Sequence, residues 1–252
     1  MKITLLGTGG YFPNRRRHTA CLMIPEIGVV LDAGTAAYQI QQHLETESLD
    51  IFLSHAHLDH VFGLTCLLNL FDGQGARRIR VHGEPEKLEV VEQCLFNKLL
   101  FPVAPPCTFT PLADSVALPQ GGRLTWFPLE HPGGSVGYRL DWPATDTEPA
   151  RSLAYVTDTI ARPDAAYLEH IQGVELLVHE AYFNDDERDW AELTGHSCAT
   201  DVAQNAAAAG AKQLVMVHMN PMCESDQPLD LAMAREAFAE LVVAEDGMVV
   251  EF

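Results

Sequence analysis

Apolar positions along the chain fall into short runs and helical stripes, broken by glycine, proline and polar turns. Residues 2–6 alternate weakly and end in Gly7-Thr8-Gly9-Gly10, which predicts a strand entering a tight loop. Further strands are predicted at 20–24, 28–31, 50–53, 79–82, 124–129, 137–140, 152–156, 176–178, 213–217 and 248–252. Helical spacing covers 36–45, 61–70, 85–100, 165–170, 197–209 and 229–243, the fifth of these stopping at Gly210. Residues 102–119 read as loop with short strands, and 142–150 as a polar turn. Strands followed by a helix recur in each half. With no fixed repeat and no linker, the pattern predicts one α/β (α+β) domain over 1–252, built of two sheets packed together with helices outside.

Composition narrows the function. There are 16 Lys plus Arg against 35 Asp plus Glu, a net charge of -19. A surface that grips long nucleic acid by its phosphates is basic, so the overall charge opposes a long polyanionic partner. Two basic clusters stand out locally, Arg15-Arg16-Arg17 and Arg77, Arg78, Arg80, and a solvated surface is the ordinary reading of both. The six cysteines form no C-x-x-C pair, which fits reduced thiols and a cytoplasmic location. No apolar run is long enough to span a membrane, and none resembles a signal peptide.

The chemistry is concentrated in Ser54-His55-Ala56-His57-Leu58-Asp59-His60, directly after an apolar strand. Imidazole and carboxylate groups together suit zinc and similar ions. Two histidines two residues apart can hold one ion, while Asp59 and His60 can face a second. Three more polar residues follow apolar strands: His131, Asp158 and His218. Each alone is weak evidence, since a strand-end aspartate often caps a helix and a strand-end histidine often sits hydrogen-bonded in a core.

In that order, H-x-H-x-D-H and then His, Asp, His at strand ends, the chain resembles the metallo-β-lactamase superfamily. Gly7-Thr8-Gly9-Gly10 with Pro13, Asp32-Ala33-Gly34, Phe62-Gly63-Leu64, Gly137-Tyr138, Asp158-Thr159, His179-Glu180-Ala181 and Gly195-His196-Ser197 are similar to its ribonuclease Z branch. The similarity runs from residue 3 to about residue 222. It implies a four-layer αββα sandwich of two mixed sheets with outer helices. It also implies two divalent cations, zinc with manganese and iron as alternatives. In the resemblance His55, His57 and His131 hold the first cation, Asp59, His60 and His218 the second, and Asp158 bridges them. Asp59 would also orient the attacking water, and Glu180 and His196 would form a proton-transfer pair. His179 is read as a buried, hydrogen-bonded histidine, and His18, His43, His82 and His170 as ordinary residues. A homodimer is a further implication.

A proton donor matters most for an ester with a poor leaving group, which points to a phosphodiester rather than a lactone or thioester. The resemblance has one clear departure. Ribonuclease Z enzymes that process tRNA precursors carry a long arm between the motif histidine and aspartate, whereas here only a short acidic turn lies between His131 and Asp158. The arm is therefore expected to be absent. The function expected is a phosphodiesterase for small or short substrates. A tRNA 3′-end endoribonuclease is the alternative, with a lactonase or thioesterase behind it. Arg17, in the first glycine loop, is a candidate for contact with a substrate phosphate through its guanidinium.

Overall fold

The computed structural model describes residues 1–71 and 78–252, and Arg77 lies outside the described residues. The chain divides into two compact units, Met1–Ala113 with Glu245–Glu251 and Asp114–Ala244 with Phe252.

In the first unit, β1 (Lys2–Gly7), β2 (Cys21–Ile24), β3 (Val29–Leu31), β4 (Ser48–Phe52), β5 (Arg78–Gly83) and β6 (Thr108–Pro111) join the C-terminal strand Met248–Glu251 in one seven-stranded sheet. The C-terminal strand, β1, β2 and β3 pair antiparallel; β3 to β6 pair parallel. Parallel strands covered on both faces read as continuous apolar runs, and β3 is buried at every position. Helical segments follow β3 and β4. The first is a 3-10 turn, Thr35–Gln39, running into α1 (Ile40–His43). The second is α2 (Leu58–Val61), which continues as a 3-10 helix, Phe62–Phe71. Ile40, Leu64, Leu67 and Leu70 from these segments pack on Met23, Val30, Leu49 and Ile51 of the sheet.

The second unit repeats the plan. Its strands are β7 (Ser115–Ala117), β8 (Arg123–Leu129), β9 (Ser135–Trp142), β10 (Arg151–Val156), β11 (Leu176–Glu180), β12 (Gln213–Val217) and β13 (Val242–Val243). They again form seven strands, with three antiparallel pairings followed by three parallel ones. Residues 143–150 close β9 onto β10, so no arm leaves the chain between His131 and Asp158. The helix expected at 197–209 is present as Ala199–Ala208, and Val202, Ala203 and Ala206 bury its apolar side against Leu177, Leu214 and Met216.

Three predicted helices are shorter than their apolar spacing suggests. The stripe over 85–100 holds an α-helix only from Pro85 to Val90. A π-turn at Val91–Leu95 then rotates the succeeding residues off the stripe, and Leu99 is 96% exposed. The run 229–243 contains Ala232–Ala237, opened by the Asp230 side chain, which accepts the Ala232 N–H. Its β-branched end, Val242–Val243, takes the sheet edge instead. Residues 165–170 form a 3-10 turn, Ala166–Glu169. One helix, Arg188–Thr194, is not predicted by the spacing. A capping box between Asn184 and Glu187 leads into it, but Ala191 is its one buried residue, so no stripe betrays it.

Across β4 and β5, Arg80 donates to Asp50 at 2.6 and 2.8 Å, and His82 Nε2 lies 2.8 Å from the same carboxylate. Burial acts to raise the Asp50 carboxyl, yet the hydrogen bonds from His82 and Arg80 overcome it and hold it at about 2. A group depressed on folding stabilises above its unfolded value, about pH 4, and that contribution is lost as pH falls towards 2. Urea midpoints followed by circular dichroism should therefore fall less steeply from pH 4 to 2 in Asp50→Asn than in the parent. Equal slopes would show that this contact contributes nothing.

Candidate metal centre

In the first unit the backbone turns at Asp32, just after β3, with a left-handed φ of 57°. Its fully buried carboxylate accepts Ser54 N–H at 2.7 Å, Ser54 Oγ–H at 2.8 Å and His60 Nδ1–H at 2.8 Å. A carboxylate only accepts, so the His60 proton sits on Nδ1 and the Nε2 lone pair faces outward. With its own proton given to Asp32, Ser54 Oγ accepts from His55 Nδ1 at 3.0 Å, which fixes that ring in the same tautomer. The His55 ring lies 4.3 Å from those of both His57 and His60. His57 is exposed and extended where α2 begins. Asp59, in the first turn, accepts Tyr11 N–H at 2.8 Å and stands 3.3 Å from His60 Nε2. Glycine permits the close approach behind this loop: a Cβ on Gly63 would meet the Gly34 carbonyl oxygen at 2.1 Å.

In the second unit His131 follows β8. Its Nδ1–H donates to the Gly195 carbonyl at 2.9 Å, which turns Nε2 towards Asp158, 3.6 Å from Oδ2. Asp158 follows β10 with φ 46°, and His218 follows β12 with φ 60°. His218 Nε2 is 3.3 Å from Asp158 Oδ1, so the buried carboxylate offers one oxygen to each imidazole. His196 joins Asp158 and His218, their ligand atoms lying within 4.8 Å of one another. Its Nδ1–H donates to Glu180 Oε1 at 3.0 Å, and its ring stacks on Tyr182 at 4.7 Å. Glu180, fully buried at the end of β11, also accepts Thr159 N–H at 2.9 Å and Ser197 N–H at 3.3 Å. Gly195, which carries the acceptor for His131, has φ 77°, and a Cβ there would meet Pro132 at 2.5 Å.

His179 is a scaffold residue. It donates from Nδ1 to the Glu180 carbonyl at 2.7 Å and accepts Tyr167 O–H at Nε2, at 2.9 Å. Complete burial pushes its imidazole below the ordinary value, so it is neutral in the fold.

These residue types and spacings fit cations. Two ligand atoms bound at 2.0–2.1 Å to one tetrahedral ion stand about 3.3 Å apart. The imidazole–carboxylate separations here are 3.3, 3.3 and 3.6 Å, and the ring nitrogens facing the carboxylates belong to histidines whose opposite nitrogens, for His60 and His131, are tied to an acceptor. Each unit thus assembles its own share of the expected residues. Arg17 is placed differently. It is buried, and its guanidinium donates to Thr8 Oγ1 at 2.6 Å within the glycine loop. Contact with a substrate phosphate would require it to leave that hydroxyl. Sequence reasoning gives no role to Asp32 or Ser54, although a buried aspartate behind an apolar strand, in Asp32-Ala33-Gly34, signals a charge in need of partners.

The family described as "Beta-lactamase superfamily domain" matches residues 28–219. Ribonuclease Z of Methanosarcina acetivorans is 27% identical over 301 aligned positions, covering 100% of this chain and 98% of that protein. For a chain of 252 residues, about 49 of those 301 positions have no counterpart here. Among solved structures, the metallo-β-lactamase fold protein YhfI from Bacillus subtilis superposes with a TM-score of 0.77 at 21% identity, covering 99% of each chain. Human tRNase Z, short form, gives 0.71 at 22%, covering 100% of this chain and 99% of that one. These likenesses show the fold, the αββα class expected from the sequence.

The position of Asp32 carries its own prediction. Asp32→Asn should weaken zinc binding about 10–100-fold, as loss of an outer hydrogen-bond partner of a metal-bound histidine does. Competition with a chromophoric chelator measures this, with near-ultraviolet circular dichroism confirming the fold. Unchanged affinity would separate Asp32 from the metal centre.

Proposed function

Because the chain belongs to the metallo-β-lactamase superfamily, in its ribonuclease Z-like branch, we propose that this metal-dependent hydrolase is a phosphodiesterase acting on small or short phosphodiesters. In this reading His55, His57 and His131 would hold one cation, Asp59, His60 and His218 would hold the other, and Asp158 would contribute to both. Zinc suits this donor set, with manganese and iron as alternatives. When bound, two such cations activate water and neutralise charge on the phosphate oxygens.

The protein's own side chains supply the rest. Asp59, held by the Tyr11 N–H, orients the attacking water. As the new P–O bond forms, the bond to the leaving oxygen breaks, and that oxygen takes the Nε2 proton of His196 in its imidazolium form, in which both ring nitrogens are protonated. Glu180 makes this transfer effective, because its fixed carboxylate holds the His196 Nδ1–H and raises the basicity of the ring. The observation carrying the proposal is this pair: a completely buried carboxylate aligned by two backbone N–H groups onto one imidazole. Such a donor is needed where the leaving group is a poor one.

Three features support a small substrate. The net charge of -19 repels long polyanions. The connection at 143–150 is short, and about 49 positions of the aligned ribonuclease Z have no counterpart here. A second reading, tRNA 3′-end processing, is suggested by the names of two similar proteins, ribonuclease Z and human tRNase Z. The six cysteines are free, which supports a reducing cytoplasmic location. No helix among the described residues is long and apolar enough to cross a membrane.

Bis-p-nitrophenyl phosphate should be hydrolysed by protein supplied with zinc or manganese, and chelation should abolish turnover. His196→Ala should lower kcat by about 10²–10⁴ with metal content retained. Absence of turnover with either metal would refute the proposal, and 3′-end cleavage of precursor tRNA in a gel assay would favour the second reading.

A further inference from the structure

The loop after β1 carries two aromatic residues the hydrolytic chemistry does not use. Tyr11 is 71% exposed and adopts φ 60°, a left-handed backbone rare for a bulky side chain. Phe12 stands edge-on to it, with ring centroids 5.1 Å apart. A ring so exposed adds little to the stability of the fold, and glycine would fit this backbone better. The position is nonetheless tightly fixed, because the Tyr11 N–H donates to Asp59 Oδ2 and the Phe12 N–H to the Gly10 carbonyl. The aromatic pair is thereby tied to a residue of the proposed metal centre. On the same H-A-H-L-D-H segment, Leu58 is 70% exposed, and just beyond it Phe62 is 48% exposed. They lie four residues apart, on one side of the helical turn that carries Asp59. Large exposed apolar side chains on two segments that meet at Asp59 mark a place for a ligand's apolar part.

We infer that Tyr11, with Phe12, forms a stacking platform for the heterocyclic base of a nucleotidyl phosphodiester, and so sets substrate preference. This rests on the phosphodiesterase reading above. The four side chains are uncharged, so they would recognise a flat apolar group and not the phosphate. Among groups esterified to phosphate, a nucleobase presents such a face. Stacking on an aromatic side chain tolerates any base, because every base has a π-face. The preference should accordingly be for nucleosides as a class over aliphatic esters.

Two p-nitrophenyl phosphodiesters with the same leaving group test this, one carrying thymidine at its 5′-oxygen and the other a methyl group. The wild-type ratio of their kcat/KM values should favour the nucleotidyl ester, and Tyr11→Gly should reduce that ratio about 10-fold, the scale of one stacked base. Tyr11→Phe should restore it. Glycine suits φ 60°, so a lost preference with an undiminished Tm points to the ring and not to a damaged loop. Calorimetric titration of metal-supplemented protein with AMP and with ribose 5-phosphate gives a readout free of turnover, and the ratio of their affinities should fall likewise. A ratio unchanged in Tyr11→Gly in both assays overturns the platform. Failure to hydrolyse either ester, with AMP still preferred through Tyr11, overturns the phosphodiesterase reading and leaves the platform standing.

Discussion

A carboxylate withdrawn from water is costly unless positive charge or hydrogen-bond donors meet it, and among the described residues three are buried just at or beyond strand ends: Asp32, Asp158 and Glu180. Asp32 is met by Ser54 and His60, Glu180 by His196 and two backbone N–H groups, and Asp158 by Thr157 and the Nε2 atoms of two imidazoles. The first two are satisfied by donors the fold provides. In doing so they determine which nitrogen of His60 and of His196 carries the proton. Asp158 is the exception that gives the site its character, for its oxygens face ring nitrogens at ligand spacing rather than at the shorter distance of a firm hydrogen bond.

The two sheets solve the same problem in the same way. Each has three antiparallel pairings followed by three parallel ones, and in each the first strand of the parallel set, β3 or β10, is followed within two residues by an aspartate with positive φ. An L-residue in that conformation is strained, and strain of this kind persists where surrounding contacts over-determine it. At Asp32 the carboxylate serves as an anchor for a histidine. At Asp158 the carboxylate is turned towards the Nε2 atoms of His131 and His218. Comparable positions thus yield a histidine anchor in one unit and a carboxylate facing two imidazole nitrogens in the other.

Much of this is legible in the amino-acid order. Strands buried on both faces leave continuous apolar runs, and four metal-binding side chains within six residues, as in H-A-H-L-D-H, seldom arise by chance. The β-strands of both parallel sets lie within about two residues of their expected ends wherever an apolar run marks them. Helices are less legible. The stripe through Leu88, Val91 and Leu95 continues to Leu99 on paper, but a π-turn breaks its phase. The helix at Arg188–Thr194 leaves Trp190 and Leu193 exposed, so its only signals are the caps at its ends. At the site, ligand candidates stand out because their chemistry is rare in sequence, whereas Asp32, Ser54 and Gly195 act through hydrogen bonds to histidines that spacing does not connect to them. Arg17 shows the converse: its charge suggests a ligand contact, and its side chain is buried against Thr8.

The proposed chemistry turns on two cations that would share the Asp158 carboxylate. X-ray diffraction from crystals of zinc-supplemented protein, recorded at the zinc absorption edge, tests this most directly. Two anomalous peaks about 3.5–4 Å apart are expected, each within bonding distance of a different Asp158 oxygen. A single peak, or peaks remote from Asp158, would contradict the shared carboxylate.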